Sequence, residues 1–163
     1  EGVSGLRAAG IDLDRAKSAR HVTLKLNQRV LSFETGPLST PFKALNDCTD
    51  SLLESWGLDP EQHRQYRPPR WGNMKSVSKA IASRYPSKAL RNGQSGIFEM
   101  RVIVEADGKV SSCHLEKNTI ADSLSSPACQ VTMRDAEFAP ATDEKDDPMR
   151  SFYSTTITYA MNP

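Results

Sequence analysis

Between Gly96 and Val110 the residues leave little choice of conformation. Phe98, Met100, Val102 and Val104 alternate with Glu99, Arg101 and Ile103. This period-two pattern gives a β-strand one apolar and one mixed face. Asp107-Gly108 follows, and such a pair supplies the left-handed residue that folds a strand back on itself. The second strand is expected from Lys109 to about Leu115. A strand with an apolar face needs cover, and both flanks offer it. Val77 and Ile81 stand at helical spacing within Met74 to Arg84, and the position before Pro86 is pushed out of helical geometry, so a short helix ends near Arg84. Ser126 and Pro127 make an N-cap and first-turn pair, with Leu124, Ala128 and Val131 along one side, which predicts a helix from about Ser123 to Asp135. Phe152 to Tyr159 sets Tyr153, Ile157 and Tyr159 against Ser154, Thr156 and Thr158, a third strand. The order helix, strand, strand, helix, strand implies an α+β fold whose three-stranded antiparallel sheet carries its helices on one face.

The first half reads as a smaller module of hairpin plus helix, residues 1–58, with the character of the end of a larger domain. Val22-Thr23-Leu24-Lys25-Leu26 and Val30-Leu31-Ser32-Phe33 are β-favouring runs joined by Asn27-Gln28-Arg29. Leu6 to Ala19 has helical character interrupted by Gly10. Thr40 followed by Pro41 places an N-cap before proline at the first helical position, and Phe42, Leu45, Thr49, Leu52, Leu53 and Trp56 recur at three- and four-residue steps until Gly57 and Pro60 stop the helix. From Asp59 to Asn73 the pattern dissolves into prolines and arginines, the composition of a semi-rigid linker. The domains expected are therefore 1–58, a linker at 59–73, and 74–163.

With 21 Lys and Arg against 20 Asp and Glu, the chain has no overall field that would gather nucleic acid. Tyr66 and Trp71 among Arg64, Arg67 and Arg70 allow a base-stacking strip, but aromatics leaning on a neighbouring domain are the simpler reading, and no nucleic-acid partner is expected. No stretch approaches the roughly 20 apolar residues of a membrane span, and Glu1 opens the sequence without basic or apolar leader regions. A signal or anchor is expected to have been removed or to lie outside the sequence.

Cys113 falls on the second strand and Cys129 on the helix that returns across the sheet. Their side chains can meet there, closing a loop of about sixteen residues worth about 3 kcal/mol, the alternative being two buried thiols. The bond would indicate an oxidising compartment. Cys48, between Asp47 and Asp50, has no cationic neighbour in sequence to activate it as a nucleophile and reads as a packing residue. His21, His63 and His114 lie far apart without metal-binding spacing, so neither metal nor cofactor is expected. Gly93-Gln94-Ser95-Gly96 lacks the spacing of a nucleophile elbow. Asp143-Glu144-Lys145-Asp146-Asp147 lacks the ordered ligands of a calcium loop and reads as a solvated turn. No catalytic set emerges.

Taken in order, Tyr85-Pro86, Gly96, Asp107-Gly108, and Phe138, Pro140 and Ala141 resemble the C-terminal domain of the TonB family over about residues 75–163. Less specifically, Cys48-Thr49-Asp50 and Ser55 to Pro60 are similar to the lead-in of soluble TonB-like periplasmic proteins of alphaproteobacteria. The resemblance implies a non-catalytic periplasmic module of energy transduction and transport. Such a module binds an extended peptide of an outer-membrane or envelope partner by strand addition, because its sheet leaves an edge with unpaired N–H and C=O groups. By that analogy the edge is Phe152 to Tyr159, and the partner-binding residues are Tyr85, Pro86, Tyr153, Thr155 and Ile157. The fifteen residues from Asp59 to Asn73 reach at most about 50 Å, short of a spacer across the periplasm. Two other readings stand beside this one. In the first, the chain is a fragment or regulatory part of an envelope enzyme whose site lies partly upstream of residue 1. In the second, it is a structural module that forms a homodimer through its sheet edges.

Overall fold

The computed structural model describes residues 13–120 and 126–160. These divide into two compact units, residues 13–64 and residues 65–120 with 126–160.

In the first unit, α1 (Leu13–Ser18) precedes a hairpin of β1 (His21–Leu26) and β2 (Arg29–Glu34), and α2 (Ser39–Ser55) follows. The hairpin register pairs Val22 with Phe33 and Leu24 with Leu31. Its two-residue turn places Asn27 at φ 54°, a conformation asparagine tolerates better than most residues. The expected helix over Leu6 to Ala19 is present only as α1 among the described residues, since residues 1–12 lie outside them. Helix α2 begins at Ser39, one residue before the expected Thr40 N-cap, and its N-cap residue Leu38 makes no side-chain cap. Pro41 is accepted because first-turn N–H groups have no intrahelical acceptor and their loss costs nothing. At the other end Gly57 adopts φ 69°, and the Leu58 N–H reaches back to the Leu53 carbonyl at 2.9 Å, the bond of a glycine-terminated helix. Leu53, Leu58 and His63 are buried. One apolar face of the hairpin is not: Val22, at 38%, is the least exposed of Val22, Leu24, Leu26, Leu31 and Phe33.

The second unit runs β3 (Arg70–Trp71), α3 (Met74–Ala82), α4 (Ser87–Arg91), β4 (Gly96–Val104), β5 (Val110–Ile120), α5 (Ala128–Asp135), β6 (Phe138–Ala139), β7 (Ala141–Thr142), β8 (Pro148–Met149) and β9 (Ser151–Tyr159). Its main sheet has the order β5-β4-β9, with both pairings antiparallel. The α+β architecture with a three-stranded antiparallel sheet is thus present. On β4, Met100 lies between Leu115 and Thr155, and Val102 between Cys113 and Tyr153. Directly opposed residues share a face, so these side chains line the side covered by helices. Phe98, Met100, Val102 and Val104 are buried there with Val77 and Ile81 of α3, Ala89 of α4, and Ala128 and Val131 of α5. Burial of each large aliphatic or aromatic side chain contributes about 1.5–3 kcal/mol.

The Asp107-Gly108 turn is held from outside as well as by its own geometry. Gly108 has φ 83°, and a Cβ there would sit 2.3 Å from the Phe138 carbonyl oxygen. Only glycine lets the β4–β5 turn close beneath β6.

Several expectations change in detail. Residues 59–73 are not a free linker. Asp59 to Arg64 fall in the first unit, where Arg64 pairs with Asp50 at 3.1 Å and Glu61 at 3.0 Å. The remainder is tied into the second unit. Arg67 and Thr142 exchange backbone hydrogen bonds of 2.9 and 3.1 Å, and Trp71 pairs with Phe138. Prolines suppress regular structure but do not prevent such bridges, and the apolar area of Trp71 outweighs the linker-like composition around it. Helix α3 ends at Ala82, and α4 forms beyond Pro86, where no helix is expected from the sequence. Strand β5 runs on to Ile120. Helix α5 starts at Ala128, with the Ser126 hydroxyl accepting its N–H at 3.1 Å. The expected start near Ser123 falls in 121–125, outside the described residues. The 143–147 charge run forms the turn between β7 and β8, where the Asp143 carboxylate accepts the N–H groups of Lys145 at 2.8 Å and Asp147 at 3.0 Å.

Candidate functional site

Strand β9 hydrogen-bonds to β4 along nine residue pairs, Ser151 to Tyr159, and among the described residues its other side has no strand neighbour. Beside it runs helix α3. Between them lies a cleft of about 300 Å³ whose walls include Met74, Ser78 and Ala82 on the helix side and Thr155 and Ile157 on the strand side, with Met100 at its floor. Positions 74, 78, 81 and 82 follow the i, i+4, i+7, i+8 spacing of one helix face. Val77 and Ile81 on the inner side are buried in the core. The helix is thereby anchored on one flank and open on the other.

Tyr85 closes one end of the cleft. Its ring stands edge-on to Tyr159 at 5.0 Å, and its hydroxyl donates to the Gln94 carbonyl. Tyr159 in turn meets Phe98 edge-on at 5.6 Å and exchanges a 2.8 Å hydrogen bond with the Ser126 hydroxyl. Burial raises the Tyr159 pKa, so the phenol is neutral and the contact apolar. At the other end Trp71 stacks on Phe138 at 5.2 Å and meets Tyr153 edge-on at 5.7 Å. Burial likewise raises the Tyr153 pKa. With its ring face on Phe138, Trp71 packs within this aromatic cluster.

Of the residues singled out from the sequence, Tyr85, Thr155 and Ile157 line one cleft. Tyr153 lies on the same sheet face but belongs to the aromatic cluster with Trp71 and Phe138. Pro86 occupies the N-cap position of α4. The helix wall of Met74, Ser78 and Ala82 is missed by sequence reasoning, although its spacing is readable once Val77 and Ile81 are assigned inward.

Cys113 and Cys129 form a disulfide, Cα to Cα 5.5 Å, between β5 and α5, while Cys48 is an exposed free thiol. Among the described residues no group of three or more His, Cys, Asp or Glu side chains converges on a metal site, and no helix is long and apolar enough to cross a membrane.

The family model described as Gram-negative bacterial TonB protein C-terminal matches residues 81–161. Residues 81–161 belong to the TonB C-terminal family. No curated protein matches the chain. TonB C-terminal domains are periplasmic protein-interaction modules that engage outer-membrane proteins, and they are not an enzyme family. The matched segment contains α4, β4, β5, α5 and β9, the whole of the three-stranded sheet. It leaves most of α3, and with it most of the helix wall of the cleft, to the residues that precede it.

Proposed function

We propose that the TonB-like unit captures an extended peptide of an outer-membrane or envelope protein, which adds as a fourth strand to the side of β9 that has no strand neighbour among the described residues. The observation that carries this reading is the position of β9: it is a nine-residue edge strand, and an apolar cleft runs directly beside it. Main-chain hydrogen bonds to the edge would supply affinity, and a side chain dropped into the cleft would supply selectivity. Thr155 and Ile157 take part as strand residues, Tyr85 as the end wall. Tyr153 and Pro86 act by positioning, through the Trp71 cluster and the start of α4. The unit has no catalytic role in this reading. The Cys113–Cys129 bond supports an oxidising location, the periplasm, for the working protein.

The test is a titration of isotope-labelled chain with synthetic peptides from the N-terminal segments of outer-membrane transporters, followed by amide chemical shifts and hydrogen exchange. Expected are shifts confined to β9, α3 and Tyr85, with new protection of β9 amides. Peptides that bind but leave β9 unperturbed would sink strand addition. Sedimentation of the free chain checks the competing use of the same edge. A dimer that weakens when Thr155→Pro blocks the edge would assign it to a second copy.

A further inference from the structure

The chain as a whole is nearly balanced in charge, but the segment that builds the helix wall of the cleft is not. From Gln65 to Phe98 there are seven Lys and Arg residues, at 67, 70, 75, 79, 84, 88 and 91, and no Asp or Glu. Some of these are neutralised from elsewhere. Arg67 pairs with Asp146, and Asp135, whose carboxylate is held below its usual pKa first by its hydrogen bond to Arg134, also feels the charge of Arg84. Lys75 and Lys79 on α3 are exposed and form no ion pair with any described residue.

Their place on the helix matters. Lys75 is three residues before Ser78 and Lys79 three residues before Ala82, and residues at that separation are surface neighbours. Ser78 and Ala82 line the cleft. Both lysines therefore stand on the exposed side of α3, opposite the buried Val77 and one helical step from residues that line the cleft. Lys75 and Lys79 are also four apart, so they repel each other across one helical turn, and an anion between them would relieve that repulsion. On the sheet side, Glu99 opposes Thr156 and accepts its hydroxyl at 2.7 Å. It thus lies on the other face from Met100 and Thr155 and does not neutralise the lysines.

We propose that the peptide taken by this cleft is acidic, its apolar side chain lying between α3 and β9 while adjacent Asp or Glu carboxylates lie against Lys75 and Lys79. The inference rests on the strand-addition reading and adds the chemistry of the partner. Two exposed ion pairs give a roughly two- to thirtyfold preference for carboxylates over amides, and the preference shrinks at high salt.

A random octapeptide display library selected on the full chain tests this, with two variants beside the wild type. Ala82→Trp fills the cleft from an exposed helix position. Lys75→Glu with Lys79→Glu reverses the rim, and thermal unfolding confirms that both variants fold. Peptides lost with Ala82→Trp are the cleft binders. Support is an excess of Asp and Glu among them, a two- to thirtyfold weakening when those residues become Asn and Gln, and a switch to Lys- and Arg-bearing peptides on the reversed rim. Neutral or basic cleft binders would overturn the acidic partner and leave strand addition standing. A library with no binder sensitive to Ala82→Trp would overturn both. Binding of phosphatidylglycerol vesicles that depends on Lys75 and Lys79, with peptide selection unchanged by the reversal, would assign the lysines to a membrane surface and also overturn the proposal.

Discussion

Breaking the Cys113–Cys129 bond isolates one contribution to the stability of the C-terminal unit. The residues are 16 apart in sequence, and in the chain-entropy model a closed loop of that length lowers the unfolded-state entropy enough to stabilise the fold by about 3 kcal/mol at 25 °C. For a unit of this size the whole margin is roughly 5–14 kcal/mol, so the loss is a large share of it without being fatal. The chain has two tryptophans. In a Trp56→Phe background, Trp71, packed between Phe138 and Tyr153, reports the C-terminal unit alone. With urea m-values of about 1–3 kcal/mol per molar, reduction should lower the urea midpoint by about 1–3 M. Cys113→Ala with Cys129→Ala should reproduce the shift and make it insensitive to reductant. A midpoint moving by less than about 0.3 M in the reduced wild-type protein would refute the reasoning, because it would mean that the unfolded chain is confined there whether or not the sulfurs are joined.

Gly108→Ala should destabilise the C-terminal unit by about 2 kcal/mol or more. The alanine is forced into left-handed geometry, and its Cβ meets a backbone carbonyl that cannot turn aside. Urea denaturation followed through Trp71 measures it, and a change below about 0.5 kcal/mol would contradict the close approach to Phe138. In the N-terminal unit, His63 is buried and donates from Nδ1 to the Asp59 carbonyl at 2.7 Å. Burial lowers its pKa below the usual 6.5. A depressed folded-state pKa means that the stability is present above pH 6.5 and is lost as pH falls through the folded value. The protection of α2 amides, with the intrinsic exchange rates divided out, should therefore fall on acidification below about pH 6.5, and His63→Gln should flatten that dependence. An unchanged slope in the variant would assign the proton uptake elsewhere.

The strands of the main sheet were legible because their residues are constrained twice, by burial on one face and by a turn that admits few residues. Phe98 to Val104 and Asp107-Gly108 carry both signals. The disulfide was legible because the expected strand and helix bring Cys113 and Cys129 to one packing face. What composition hid is the short-range work of isolated residues. Arg67 and Trp71 join the C-terminal unit through one bridge and one aromatic stack, contacts with partners some 70 residues away that no periodic pattern announces. Helix α4 has five residues, too few to establish a period. The cleft was half legible. Its strand wall follows from the alternation in β9, whereas its helix wall required knowing which side of α3 faces the core.

The two edges of the main sheet are secured in different ways. Strand β5 is bonded through Cys113 to α5, while β9 is held by the ladder it shares with β4 over nine residue pairs. A pull directed along β9 is parallel to the strand axis and perpendicular to that ladder, so the hydrogen bonds are loaded together in shear and must break together. The same pull applied across the sheet would open them one after another, like a zip. A partner strand aligned with β9 and tugged lengthwise would thus meet the sheet in its mechanically stiff direction.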